Sequence, residues 1–215
     1  MTTPFDGLAV VAGGTAPGLV ITGTRGAGKS TLADLVCCTA EEVGRVRSVT
    51  TRPPRAGDRD GTYVHVSERL FERITGDGEL VLVGRYGAFG YGISPREVTA
   101  VVRSGRRPLL TISPDTVSQL TPANSRAAWR CAFIDAADDV LDARLAAGGR
   151  PAQAGDRAQR ERDRAFAVAP IVTVHNNAAI GVALGRLVEV FGLERPRLPA
   201  DVGPWDHPDG RKVPR

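Results

Sequence analysis

Lysine is nearly missing from this 215-residue chain: it has 28 basic residues, yet only two of them, Lys29 and Lys212, are lysines. The scarcity makes the surroundings of Lys29 the first question. Aromatic residues make up only 5% of the chain, and no strand interleaves them with basic side chains. There is no zinc or helix-turn-helix signature either. A net charge of +4, spread as scattered arginines, therefore does not read as nucleic-acid binding. It fits the handling of a phosphate by a few guanidinium groups. Cys37, Cys38 and Cys131 do not form a spaced metal or redox set. The adjacent pair reads as small helix residues, at least one of them buried. No apolar run reaches spanning length and nothing resembles a signal peptide, so a soluble, cytoplasmic chain without a membrane partner is expected. Also missing are internal repeats, the N/T-K-x-D motif of guanosine-triphosphate switches, and the motifs of nucleic-acid motors.

Glycine and proline, by contrast, are plentiful at 25 and 15 residues. Part of the excess lies in the tail from Arg195 to Arg215, which has no periodic apolar face and is expected to lack stable structure. The lead-in, residues 1–17, is ambiguous between a short strand and a loose segment. Between them, residues 18–194 have the length of one domain with a substantial core.

Lys29 sits in "GTRGAGKST", in the register G-x-x-x-x-G-K-[ST]. Apolar "GLVI" precedes the motif and helical "STLADLVC" follows it, the strand–turn–helix context of a phosphate-binding loop. The N–H groups of Arg25 to Ser30, with the start of the next helix, point at an anion. Gly26 and Gly28 permit the dihedrals that such a turn needs. The loop from Gly23 through Thr24, Arg25, Gly26, Ala27, Gly28, Lys29 and Ser30 to Thr31 is thus expected to bind ATP. Lys29 would reach the β/γ-phosphates, the Ser30 hydroxyl would join the Mg²⁺ shell, and Thr31 would help start the helix.

Strands and helices alternate elsewhere, except from Thr50 to Ser94. That pattern predicts an α/β fold: a P-loop NTPase with a mostly parallel five-stranded sheet flanked by helices. The exception reads as a small inserted acceptor-binding subdomain, residues 50–94, over the carboxyl edge where ligands gather. Elements expected along the way include a helix from about Lys29 to Glu42, one strand in "RVRSVT", a Ser-capped helix in "SERLFERI", and a helix with Pro95 in its first turn. "RLAAGGRPAQAGDRAQRERDRA" reads as a mobile helical lid, residues 144–164, whose arginines close over phosphates. Arg157, Arg160 and Arg164 share a face at i, i+3, i+7, with Glu161 and Asp163 as available partners.

Together, "GTRGAGKST", "RSVTTRPPRAGDRDGTYVHVS", "GELVLVGRYGAFGYG" and "DARLAAGGR" resemble the guanylate kinase family, from Leu19 to Gly192. The resemblance implies that Ser48, Arg52 and Arg55 hold the phosphate of an acceptor, that Tyr63 and Tyr91 are phosphate-binding tyrosines, and that Arg144 and Arg150 fall near the lid arginines. With Lys29 and Arg160, these two are the candidate catalytic cations. The physics agrees, since paired guanidinium forks suit an acceptor that already carries a phosphate. In-line attack by an ionised phosphate oxygen needs no general base, so His65 and His175 read as structural.

Departures from the family fall on guanine recognition. Leu82 stands where a base-reading glutamate is expected, with Glu79 three residues early. Thr111 and Ser113 replace an aspartate pair, and Ile93 follows Tyr91-Gly92 in place of a hydroxyl residue. These losses resemble the ribose 1,5-bisphosphate phosphokinases, which also share an asparagine pair like Asn176-Asn177. The expected function is ATP-dependent transfer to the phosphate of a small phosphorylated acceptor, with ribose 1,5-bisphosphate first, GMP or another nucleotide as the alternative, and a non-catalytic interaction module as a third reading. Either a monomer or a homodimer is compatible with the sequence.

Overall fold

The computed structural model describes residues 16–55, 58–120, 129–149, 155–168 and 171–194. Most of the lead-in, the tail and Arg150 lie outside the described residues. Nine strands and seven helices are assigned among them.

Five strands make a parallel sheet in the order β2-β7-β1-β8-β9: β1 (Gly18–Gly23), β2 (Val43–Arg45), β7 (Arg107–Thr111), β8 (Trp129–Asp135) and β9 (Val172–His175). Every pairing in it is parallel. β1 lies at the centre and is buried along its whole length, as expected of a strand covered on both faces. Leu19 and Ile21 join a core shared with Leu32 and Val36 of α1 (Lys29–Thr39) and Leu184 and Phe191 of α7 (Ile180–Phe191). Val20 turns to the other face and packs with Val98 and Val101 of α3 (Pro95–Arg103) and Leu110 of β7. The side-chain alternation of the strand thus builds both layers.

A second sheet carries β3 (Ser48–Thr50), β4 (Tyr63–His65), β5 (Val81–Tyr86) and β6 (Phe89–Ile93) in the order β4-β3-β6-β5. Beside it lies α2 (Glu68–Gly76), whose cap Ser67 accepts a hydrogen bond from the Leu70 N–H. Such a cap contributes about 1 kcal/mol. This is the inserted subdomain, and its core is small: Val49, Phe71 and Leu80. Three short helices complete the chain: α4 (Pro114–Val117), α5 (Asp138–Ala147) and α6 (Asp156–Ala165).

Two expectations are corrected. "RVRSVT" is two strands, β2 in the parallel sheet and β3 in the second; the chain leaves one sheet at Val46, which is buried in the core between them. The first helix also stops at Thr39, three residues short of Glu42, and a chain with Ala40 extended passes to β2. No described helix is long and apolar enough to cross a membrane.

Candidate active site

The functional groups collect at the carboxyl edge of the parallel sheet, as in other open α/β folds. There β1 runs into the loop Gly23–Gly28. Gly26 and Gly28 have φ of 87° and 90°, a region in which a Cβ is strained. A Cβ on Gly28 would also stand 2.8 Å from the Asn176 side-chain amide. Helix α1 opens on Gly28 without a side-chain cap and with no acidic residue in its first turn. Its leading N–H groups and positive dipole end are therefore left to an anion. The loop is braced from behind. Asn176 donates to the Ala27 carbonyl at 2.9 Å, the Thr24 hydroxyl donates to Asp135 at 2.9 Å, and the Thr24 N–H donates to the Ile134 carbonyl at 3.1 Å.

Lys29 donates to the carbonyls of Gly23 and Thr24, each at 2.8 Å. Burial brings its pKa down to about 8, with Asp163 offsetting part of the loss. The ligand-free protein thus sheds this charge as the pH rises past about 8, well below the 10.5 of an ordinary lysine. Folding becomes more favourable over the same window, because the unfolded chain then holds a proton that the folded chain has lost. Polyphosphate at the loop restores the charge. ATP binding at pH 9 is therefore expected to take up close to one proton, and at pH 7 almost none. Calorimetry in buffers of different ionisation enthalpy measures this; equal uptake at both pH values would detach Lys29 from the phosphates.

The residues expected to hold an acceptor lie with the second sheet. Arg52 is 4% exposed and locked from three sides. It donates to Asp58 at 2.7 Å and to the Pro53 carbonyl at 2.9 Å, and stands 4.9 Å over the Tyr63 ring. Burial alone would raise the Asp58 carboxyl, but hydrogen bonds from Arg52 and the Arg55 N–H hold it below the usual range. His65 donates a hydrogen bond from Nδ1 to the Arg52 carbonyl, 2.7 Å away. Ser48 is buried at the start of β3, while Tyr63 and Tyr91 are half-buried. In the parallel β3–β4 pair Ser48 stands beside Tyr63, and in the antiparallel β3–β6 pair Thr50 stands beside Tyr91. The second sheet thus brings together Ser48, Arg52, Tyr63 and Tyr91. Arg55 is exposed at the rim, its backbone N–H donating to the Asp58 carboxylate at 2.8 Å and its carbonyl accepting from the Asp58 N–H at 2.9 Å.

The positions that would read a base are arranged quite differently. Leu82 is 2% exposed and Ile93 1%. Both belong to the core under β7. Leu82 has φ of 50°, the only such value at a non-glycine residue among those described, and the β5–β6 register slips between Val81 and Gly84. This bulge turns Leu82 inward. Beyond it, Gly84 packs directly on α4: a Cβ there would stand 2.6 Å from the Thr116 hydroxyl and 3.6 Å from Asp115 and Ser113. The hydroxyls of Ser113 and Thr116 are 2.7 Å apart and bonded. Thr111 ends β7 with its hydroxyl enclosed and without a partner.

The lid rests on the loop through ion pairs. Arg25 reaches Asp156 of α6 at 3.0 Å. Arg164 meets Asp135 and Asp138, both at 2.8 Å, and these bonds hold its pKa up. Arg160 is 3% exposed and ties α6 to α5 through Asp142. Arg144 is lowered by burial, and its Nη1 is enclosed without a partner. Arg157, Arg160 and Arg164 share the face of α6 turned toward Asp138, whose carboxyl is held below the usual range by Arg164 first and by Arg160 and Arg157 after it. Arg160 and Arg164 reach α5, while Arg157 at the start of α6 stays exposed and pairs with Glu161 at 3.5 Å. Sequence reasoning also missed Asp135, Asp156, Tyr86 and Asp163. For Asp135 a signal existed, a carboxylate ending the apolar run "CAFID" at the edge where ligands gather.

Relatives follow the same lines. The guanylate kinase family model matches residues 16–161. The guanylate kinase of Thermobifida fusca is 33% identical over 102 residues, which are 47% of this chain and 52% of that protein. That of Synechocystis is 28% identical over 182 residues, 82% of this chain and 93% of that protein. Apart from the latter, the chain spans about half the length of the first curated relatives it matches. The crystal structure of guanylate kinase from Anaplasma phagocytophilum has the same fold. Its TM-score is 0.63 at 21% identity, covering 82% of this chain and 85% of that one.

Proposed function

The chain belongs to the guanylate kinase family, and from that footing we propose that it transfers the γ-phosphoryl of ATP to the phosphate of ribose 1,5-bisphosphate. The intact loop and the uncapped start of α1 support the donor. Mg²⁺ would enter with ATP. Ser30 is exposed in the first turn of α1 and offers it a hydroxyl, and no group of three or more His, Cys, Asp or Glu among the described residues could hold a metal independently. Bound there, Mg²⁺ neutralises phosphate charge. Arg52, with Ser48, Tyr63 and Tyr91, orients the accepting phosphate for in-line attack on the γ-phosphorus. Lys29 and the unpartnered edge of Arg144 offset the charge that moves, and the lid arginines exclude water.

One observation supports the sugar acceptor above all: the bulge that sends Leu82 into the core. Guanine presents an N1–H and an amino group that need acceptors, and leaving them unpaired costs about 1–3 kcal/mol each. Leu82 and Ile93 offer none; the wall beyond carries the hydroxyls of Ser113 and Thr116 and the Asp115 carboxylate, with Gly84 pressed against Thr116. A compact sugar bisphosphate loses nothing there. A second reading, GMP as acceptor, is favoured by the names of the curated relatives. A coupled assay of kcat/KM for GMP, dGMP, AMP, UMP and ribose 1,5-bisphosphate separates the two. Ribose 1,5-bisphosphate is expected to lead. A GMP value near or above about 10⁵ M⁻¹s⁻¹, exceeding that for the sugar, would overturn the sugar reading and return the chain to GMP phosphorylation.

A further inference from the structure

Two polar atoms in the cleft have no use in the scheme above. The Tyr86 hydroxyl and Oδ2 of Asp163 are both closed off from solvent, and neither has a hydrogen-bond partner. They come from different elements, Tyr86 from the end of β5 and Asp163 from α6. Each lies within electrostatic reach of the other. Tyr86 also feels Arg25, Asp156 and Tyr91, while Asp163 feels Lys29 and Asp115. The pair therefore stands where the donor loop, the lid and the clamp tyrosine meet. Gln159 donates to Oδ1 of Asp163 at 2.8 Å. That bond fixes the carboxylate and leaves Oδ2 over. Asp163 is 3% exposed, so its free oxygen has no ready access to water.

An enclosed polar atom without a partner calls for an explanation, and a bound group that supplies the missing bond is one. Burial keeps the Tyr86 phenol protonated over the working range, so its hydroxyl is a donor, and Oδ2 of Asp163 is an acceptor. A donor and an acceptor together are the complement of a hydroxyl group, which gives one hydrogen bond and receives another. We infer that Tyr86 and Asp163 read a hydroxyl of the acceptor, on the carbon next to the one that bears the accepting phosphate. The position follows from Lys29, whose closeness to Asp163 puts the pair beside the migrating phosphoryl group. This rests on the sugar bisphosphate reading. In ribose 1,5-bisphosphate the 2-hydroxyl is vicinal to the 1-phosphate. In GMP the carbon next to the phosphate-bearing one holds the ring oxygen and no hydroxyl.

The test pairs ribose 1,5-bisphosphate with its 2-deoxy analogue, in the parent, in Tyr86→Phe and in Asp163→Asn, with ATP throughout. Tyr86→Phe deletes a single atom and keeps the ring, so it is expected to fold. The parent should prefer the hydroxylated acceptor by about ten- to a hundredfold in kcat/KM. In both variants that preference should shrink toward parity, through the acceptor KM; Tyr86→Phe, which leaves the charge beside Lys29 in place, should also keep the KM for ATP. Calorimetric titration of both acceptors without turnover gives the same comparison as binding. A preference of parental size in both variants would overturn the inference. If the parent neither binds nor turns over ribose 1,5-bisphosphate, the acceptor reading fails by itself, and the hydroxyl-reading role falls with it, since GMP offers no hydroxyl on the carbon beside its phosphate-bearing one.

Discussion

Lys29→Ala is expected to lower phosphoryl transfer by about a thousandfold while the protein stays folded. The ammonium makes no ion pair that the fold depends on. Its two hydrogen bonds go to the carbonyls of its own loop, and burial works against its charge. Removing it leaves the glycine geometry and the bracing by Asn176 and Asp135 in place. On the proposed mechanism, what is lost is a cation at the donor loop that offsets charge on the transferred group. Steady-state turnover with the best acceptor, alongside thermal unfolding, measures both halves. Transfer within tenfold of the parent would end the role given to Lys29.

Arg52→Ala is expected to raise the acceptor KM by about a hundredfold and to leave ATP affinity within about twofold. The split comes from where Arg52 sits. It belongs to the second sheet's side of the cleft, over Tyr63 and against Asp58, while the ATP loop hangs from the parallel sheet. The same variant should lose stability, because Asp58 keeps a partly buried charge without its partner. Arg52→Lys tells the two effects apart. A lysine can keep Asp58 company but lacks the planar fork that grips a phosphate, so stability should recover largely and the KM only slightly. Equal weakening of ATP and acceptor would mean that Arg52 holds the two halves of the site together.

Parts of this site could be read from sequence because the backbone itself demands particular residues. A loop that wraps an anion needs positive φ at Gly26 and Gly28, and "TRPPR" stiffens the run that carries Arg52. Other parts depend on meetings that spacing does not encode. The helical period puts Arg157 and Arg160 on neighbouring positions alike, but only Arg160 finds Asp142 on α5, an element with no local signal pointing to it. The clasp between Arg25 and Asp156 spans more than a hundred residues. "RVRSVT" contains no glycine or proline to mark where one sheet ends and another begins. The bulge at Leu82 was equally hidden, since a leucine with φ of 50° is a residue that propensity would place in regular strand. That position 82 carries no carboxylate was visible in the sequence, but its backbone conformation was not.

That bulge limits how the pocket could be redesigned. Leu82→Glu would deliver a carboxylate into the cluster of Val20, Leu110, Val117 and Phe133, where a charge is costly and meets no ligand. Exchanging that single residue should therefore add no base recognition. The backbone at Leu82, held at φ of 50°, would have to be rebuilt together with the neighbours that fill the space around its side chain.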